Sequence, residues 1–420
     1  MRFTQLKTNW RRAAQPLPGL MRRFATSVAV GALISLIGVA FHHSIDVATR
    51  LRLAHPALLL LLPVAGAAIV LLYRVCGMEQ DRGTNLVLVA VRSARHLRLR
   101  TAPLIFLSTV TTHLVGGSAG REGAALQLGG SIADTLGKGL RLNSKEQRLI
   151  VMCGMSAAFS ALFGTPLTAA LFAMEVTSVG VLYYAALVPC LLSSLTALGI
   201  ARLLGVHAEQ YAVTGIPELT ALSMTQAVVL GGLCAALSVL FCKAMHTAPH
   251  LYEKVTKKPV LRAALGGCLV LALTALVGSQ DYNGAGGHVI TAALADGARP
   301  EAVLLKILFT ALTLGAGFRG GEIVPVLFTG AAFGSVAGPL LGLTTSFGGA
   351  LGMAAVFCGA TNCPISSLLL AYELFGGQGL ALFALCCGVS YTLSGYSGLY
   401  SEQKIIYSKF APEWIDKHAE

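Results

Sequence analysis

The 420-residue chain is 55% hydrophobic and only 12% charged, carries a formal net charge of +12 and has a mean hydropathy of +0.71. That is too little charge to coat a soluble domain of this length, so composition places the chain in a lipid bilayer. The positive excess reads as membrane topology rather than affinity for nucleic acid, and no nucleic-acid partner is expected.

Residues 1–23 form a basic arm, in which Arg2, Lys7, Arg11, Arg12, Arg22 and Arg23 precede the first apolar run with no acid among them. This predicts a cytoplasmic amino terminus. The arm reads as solvated, with an amphipathic segment on anionic lipid as the alternative. No cleavage site follows the first apolar run, which reads as a retained span and not as a signal peptide. Apolar stretches of spanning or near-spanning length then recur at 24–45, 57–73, 149–176, 183–204, 227–244, 260–277, 302–314 and 351–374. The organisation that follows is two leading transmembrane helices (24–85), a first core repeat (86–205), connecting helices (206–301), a second core repeat (302–395), and a tyrosine-bearing segment with a short cytoplasmic tail (396–420). Basic loops around Arg92 to Arg100, Lys138 to Arg148 and Lys254 to Arg262 read as cytoplasmic, whereas 205–223 and 280–301 carry more acid than base and read as external. Gly and Pro interrupt several spans, and non-helical backbone at membrane depth must be buried in protein or line a wet cavity. The ten cysteines sit mostly in apolar runs without a CxxC or Cys/His pattern, so no disulfide, metal or other cofactor is assigned. His113 reads as a packed helix residue rather than a proton relay.

The second half of the chain echoes the first. Gly154, Met155, Ala157, Phe159, Pro166, Leu171, Ala173 and Glu175 recur as Gly352, Met353, Ala355, Phe357, Pro364, Leu369, Ala371 and Glu373, all at an offset of 198. Upstream of each copy stands a glycine-flanked acid: Gly120-Arg121-Glu122-Gly123 in the first and Gly320-Gly321-Glu322-Ile323 in the second. Internal duplication in so apolar a chain is the pattern of transporters whose ion site lies where broken helices meet near the midplane. Helix parity cannot be counted through the breaks, so parallel and inverted repeats both remain open at this point. Glu175 and Glu373 end their repeat helices and read as structural pairs with Arg or Lys.

In Gly116-Gly117-Ser118-Ala119-Gly120-Arg121-Glu122-Gly123 the glycines let backbone amides converge on a ligand, and a helix is expected to start there. The amides and dipole of a helix start favour an anion. A carboxylate in that place occupies the anion site itself, and once protonated it can leave, so Glu122 is at once a gate and a proton carrier. The structural alternative is that Glu122 pairs with Arg121 or caps a surface helix. Glu322 holds the matching place, with Pro325 suited to the first turn of the next helix and the amides of Ile323 and Val324 directed at the site; a satisfied cap is again the alternative. Asn85, in Gly83-Thr84-Asn85-Leu86-Val87, reads equally as an amide donor to an anion or as a helix cap. Tyr391, Tyr396 and Tyr400 follow the last apolar run, and Tyr400 offers a phenol to an anion or an interfacial ring to lipid.

Together Gly-Arg-Glu-Gly at 120–123, Gly-x-x-Gly-Gly-Glu-x-x-Pro at 317–325, the two Gly-Met helices with Pro166 and Pro364, and Tyr400 resemble the CLC family of anion channels and proton-coupled anion antiporters over residues 72–406. Gly-Thr-Asn-Leu-Val at 83–87 is similar to the Gly-Asn-Asn-Leu-Ile of the family's fluoride/proton antiporters, where chloride members carry Gly-Ser-Gly-Ile-Pro; an acid at Glu322 points the same way. The resemblance implies an all-α, polytopic bundle of two inverted repeats with re-entrant helices, and a homodimer with one pore per subunit in a bacterial inner membrane. It implies that Glu122 gates, that Glu322 serves the proton cycle, and that Asn85, Gly120, Arg121, Gly123, Ile323, Val324 and Tyr400 line the anion path. Two departures stand out: Val324 replaces a common threonine, and Thr84 replaces the first asparagine. The expected function is fluoride export in exchange for protons; a chloride-selective or poorly selective transporter or channel of the same family is the alternative. A membrane-embedded hydrolase would need clustered ligands such as HExxH, which the chain lacks, and a purely structural membrane protein leaves the two buried acids without a role.

Overall fold

The computed structural model describes residues 17–420 apart from residue 94. Arg2, Lys7, Arg11 and Arg12 of the basic arm lie outside the described residues; Arg22 and Arg23 fall in the first helix, where they approach Glu146 at 2.6 and 3.8 Å. In chain order the helices are α1 (Leu17–Ala54), α2 (Leu62–Val75), α3 (Thr84–Ser93), α4 (Thr101–Leu114), α5 (Glu122–Gly139), α6 (Ser144–Phe163), α7 (Pro166–Glu175), α8 (Leu187–Leu203), α9 (Ala221–Val255), α10 (Pro259–Val277), α11 (Gly287–Ala295), α12 (Glu301–Ala316), α13 (Ile323–Leu340), α14 (Thr345–Thr361), α15 (Pro364–Phe375) and α16 (Leu380–Leu393). Among the described residues, six helical stretches are long and apolar enough to cross a membrane. Their outward faces carry exposed Leu36, Val64, Leu71 and Leu276, which suits lipid and not water.

Two expected spans are each a pair of helices. The 149–176 stretch breaks where α6 ends at Gly164 (φ 72°) and Pro166 opens α7; the 351–374 stretch breaks where α14 ends at Asn362 (φ 58°) and Pro364 opens α15. Proline cannot donate to the preceding turn but fits the first position of a new one, so the same residue that ends one helix starts the next. Helices α6 and α14 are buried almost all round and form the centre of each repeat. They approach α5 and α13 closely because glycine meets glycine: a Cβ on Gly129 would strike the Gly154 carbonyl, and one on Gly330 the Gly352 carbonyl.

The repeats are inverted, and two sets of hydrogen bonds across the pseudo-symmetry axis make this visible. Gly120 and Gly321 form an isolated antiparallel bridge, with N–H donating to C=O in both directions at 2.7 and 2.8 Å. Glu175, at the end of α7, accepts from the Ile365 and Ser366 amides and the Ser366 hydroxyl at the start of α15 (3.1, 2.8 and 2.5 Å). Glu373, at the end of α15, accepts from the Leu167 and Thr168 amides and the Thr168 hydroxyl at the start of α7 (2.8, 2.9 and 2.6 Å). Each helix thus caps the other head to tail, so α7 and α15 run antiparallel. The acids are structural, as the sequence indicates, but their partners are helix amides and not Arg or Lys, because an amino terminus already offers a positive dipole and unpaired N–H groups.

One small sheet departs from the all-helical expectation. Strands β1 (Ser178–Val179), β2 (Lys404–Tyr407) and β3 (Trp414–His418) lie in that order, β1 parallel and β3 antiparallel to β2. Residues after α16 are therefore tied back to the first repeat. Lys409 reinforces the docking, donating to Asn362 Oδ1, the Tyr391 carbonyl and the Ser394 hydroxyl at 2.5, 2.9 and 3.2 Å.

Glu373→Ala removes three acceptors from the start of α7 and is expected to cost about 2–3 kcal/mol, as loss of charge-assisted bonds does. Thermal unfolding of the detergent-solubilised protein, compared with wild type, measures this; an unchanged midpoint would show that the crossed caps contribute nothing.

Candidate functional site

The bridge between Gly120 and Gly321 sets the amino termini of α5 and α13 against each other. Neither glycine tolerates a side chain: a Cβ on Gly321 would lie 2.6 Å from the Gly123 nitrogen and 3.0 Å from that of Glu122, and one on Gly120 would lie 3.1 Å from the Gly321 carbonyl. Glu122 is the first residue of α5, fully buried, and its carboxylate folds toward the other repeat. Oε2 accepts from the Arg121 amide at 2.9 Å and from the Val324 amide, in the first turn of α13, at 3.4 Å. Oε1 has no hydrogen-bond partner and lies 3.7 Å from Arg121 Nε. The carboxylate therefore sits where the dipole and amides of α13 would hold an anion.

Glu322 reciprocates. It is the residue before α13, half-buried, and its carboxylate lies against the first turn of α5: a Cβ on Gly123 would fall 3.4 Å from Glu322 Oε2 and 3.0 Å from Thr84 Oγ1. Glu322 Oε2 has no partner, nor does the buried phenol of Tyr400 or the Gln127 Oε1.

Two cavities approach this pair of helix starts and share no lining residue. The smaller, about 140 Å³, is lined by Asn85, Thr84, Gln127, Glu322 and Tyr400 among others. The larger, about 540 Å³, is lined by Asp46, Arg52, Arg121, Glu209, His288 and Val324 among others. The larger is lined by the end of α1 and the smaller by the segment that leads into α3, on either side of α2 in the chain; Arg121 and Val324, which hold the Glu122 carboxylate, line the larger, and Glu322 lines the smaller.

The site residues expected from sequence fall into three groups. Glu122, Glu322, Gly120, Gly123, Ile323 and Val324 converge at the helix starts, and Tyr400 joins them in the smaller cavity. Asn85 lines the same cavity, but its Oδ1 accepts from the Glu402 amide at 3.1 Å and so also braces the segment after α16. Arg121 contributes its amide, whereas its guanidinium turns into the larger cavity and is spent on Glu209 (3.0 Å), His42 Nδ1 (2.9 Å) and Asp46 (3.9 Å). Thr84 donates to the Gly123 carbonyl at 3.3 Å, so the residue that departs from the related motif braces α5. His113 is packed, with Nδ1 against the Thr109 carbonyl at 2.9 Å. The sequence reading passed over Gln127, although a lone amide one turn into an apolar helix, five residues after Glu122, was a usable signal.

The geometry agrees with what the chain resembles. The family model for the voltage gated chloride channel matches residues 64–395. A chloride/fluoride channel protein of Pseudomonas syringae pv. tomato is 35% identical over 400 residues, covering 94% of this chain and 88% of that protein. Among solved structures, a CLC-type fluoride/proton antiporter superposes with a TM-score of 0.89 at 32% identity, covering 91% of this chain and 98% of the other. A slow cyanobacterial Cl−/H+ antiporter, at 17% identity and a TM-score of 0.75 over 89% of this chain and 94% of its own, shares the fold.

Gly321→Ala forces a methyl onto the amides of Glu122 and Gly123 and is expected to cost about 1–3 kcal/mol of stability, as overpacking does. Gly287→Ala, where a Cβ meets nothing within 4 Å, serves as the control and should leave the unfolding midpoint in place. Equal midpoints for the two variants would mean that the bridge is not tightly packed.

Proposed function

Because the chain belongs to the voltage-gated chloride channel (CLC) family, we propose that it exports fluoride in exchange for protons across a bacterial inner membrane, with Glu122 as gate and proton carrier. The observation that carries this reading is the Glu122 carboxylate on the amides of Arg121 and Val324, with its second oxygen unpartnered. Ionised, that side chain fills the anion place and closes the wall between the cavities. Protonated, it loses its attraction to the helix start, and the same amides are free for an anion. An anion and a proton thus compete for one position, which is the condition for exchange.

Glu322 supplies the second acid. Its free oxygen beside the smaller cavity can take a proton from that side, and as a neutral carboxyl it donates to a passing anion. Fluoride is small and strongly hydrated, so a path that admits it must replace water with rigid donors. The Arg121 and Val324 amides, the Tyr400 hydroxyl and the Gln127 amide are of that kind. Arg82 and Arg319 line the smaller cavity, and Arg92, Arg95 and Arg98 belong to the basic loop expected on the cytoplasmic side, which supports taking the smaller cavity as the inner one and the larger as the outer. Val324 favours keeping one rival: without a hydroxyl there, a chloride-conducting or poorly selective protein of the same family has the same gate.

Reconstituted flux separates these readings. Wild-type protein in liposomes should move fluoride against protons, with chloride slower by about tenfold or more, the scale of a one-donor selectivity difference. Glu122→Gln should abolish fluoride-driven proton movement, whether or not passive anion flux persists, as read with a fluoride electrode and a pH electrode. Chloride flux equal to fluoride flux gives the rival its case, and proton coupling that survives Glu122→Gln rules out this glutamate as carrier.

A further inference from the structure

The larger cavity holds a cation that the exchange cycle does not use. Arg52, near the end of α1, is 2% exposed, lines that cavity, and has no hydrogen-bond partner at Nε or Nη1. Among the described residues it makes no ion pair, and the acids that share its cavity serve another group: Glu209 and Asp46 lie 3.0 and 3.9 Å from Arg121. Four backbone carbonyls in the adjoining turns already accept a hydrogen bond each. Lys306 donates to the carbonyls of Tyr282 and Gly284 at 3.2 and 2.7 Å, the Asn283 amide takes the Gly116 carbonyl at 2.7 Å, and the Gly284 N–H takes that of Gly117 at 3.0 Å.

The backbone has been cleared for this guanidinium. Gly284 (φ 60°) and Gly116 (φ 84°) flank it, and a Cβ on the first would lie 2.7 Å from Arg52 Nη1, on the second 3.3 Å from Cδ. Only glycine suits both the left-handed backbone and the contact. A buried, charged donor with no acceptor in place at Nε or Nη1 is costly unless something else pairs with it. Its position says what. The 116–120 loop against which Arg52 packs leads directly to Glu122, and the cavity it lines also reaches Val324, whose amide holds the Glu122 carboxylate.

We propose that Arg52 is a second anion station, in the outer vestibule, where a small monovalent anion released from the Glu122 position pauses before leaving the protein. Arg121 cannot take this part because its charge is already balanced by Glu209 and Asp46. The station fits a halide better than a carboxylate or phosphate, since the guanidinium is 2% exposed and closed in by the glycine turns, so that a polyatomic anion would displace more of its surroundings than a small monatomic one. The proposal rests on the reading of the chain as an anion transporter, but occupancy of the station does not depend on proton coupling.

Two measurements test it on the full-length protein. The first is the external fluoride concentration that half-saturates flux in liposomes of uniform orientation, for wild type, Arg52→Met and Arg52→Lys. Loss of one charge-assisted bond predicts a rise of about tenfold for Arg52→Met, partial recovery in Arg52→Lys, and an unaltered ratio of protons to fluoride in both. An unchanged half-saturation overturns the proposal, and a changed ratio means that Arg52 acts on the gate instead. The second is bromide anomalous diffraction from wild-type crystals, which needs no variant to fold and no fluoride transport. A peak within hydrogen-bond distance of the Arg52 guanidinium sustains the station even if the fluoride assignment fails, and bromide found only at the Glu122 position overturns it.

Discussion

Two backbone hydrogen bonds between Gly120 and Gly321, at 2.7 and 2.8 Å, hold the two halves of this molecule in the arrangement on which its chemistry depends. Broken helices at membrane depth expose amides that lipid cannot satisfy, so each break must find its partners within the protein. Here each repeat supplies the partners of the other. Glycine suits both sides: a Cβ on Gly321 would strike the Gly123 nitrogen, and one on Gly120 would crowd the Gly321 carbonyl and strike the Glu122 carboxylate. Once the bridge forms, α5 and α13 face each other start to start, two positive helix ends are forced together, and negative charge at the junction is stabilising. The acids at 122 and 322 answer that field.

Four carboxylates lie against helix starts of the opposite repeat, with different outcomes. Glu175 and Glu373 each accept three hydrogen bonds from the opposite repeat, and their oxygens are committed. Glu122 and Glu322 also lie at the starts of opposing helices, yet each keeps one oxygen without a partner. A saturated carboxylate in a buried cap is locked, because moving it strands several donors at once. An unsaturated one loses less by moving and has a free lone pair for a proton. All four are glutamates, but Glu175 and Glu373 stand at the ends of their own helices and Glu122 and Glu322 at the starts of theirs, and the number of donors offered separates the acids that fasten the repeats from those that can work between them.

The sequence carried the residues that one repeat needs by itself. Pro166 and Pro364 start helices, Gly154 and Gly352 permit close packing, and Glu122 and Glu322 stand in glycine-rich loops; these are local requirements, so they recur at a fixed offset and can be found. Partners chosen by the other repeat were not legible. The caps of Glu175 and Glu373 come from amides about 200 residues away, which have no side-chain signature. Arg121 enters the expected anion path through its motif; its amide reaches Glu122, but where its guanidinium goes is decided by Glu209, Asp46 and His42, none of which belongs to that motif. Arg52, at the end of a long helix, looks like an ordinary surface charge until the glycine turns at 116 and 284 close around it. The strands after α16 are short, and β2 takes its second partner from a two-residue strand in the other half of the chain, so the sequence around them carries little signal.

Selectivity in the proposed cycle is constrained by what stands at 84 and 324. Val324 offers only its amide, and that amide is shared with Glu122, so it reaches an anion only after the carboxyl has moved. Thr84 has a hydroxyl, but the Gly123 carbonyl takes it. Side-chain donors in the cavity beside Glu322 are the Tyr400 phenol, whose oxygen is unpartnered, the Gln127 amide, which already donates to Gly123 at 3.2 Å, and the side chains of Asn85, Arg82 and Arg319. A halide arriving from the smaller cavity meets only these side chains until Glu122 is protonated and leaves, and it then meets the amides of the helix start. Recognition and gating fall on the same step, which ties the choice of ion to the proton instead of to a separate filter.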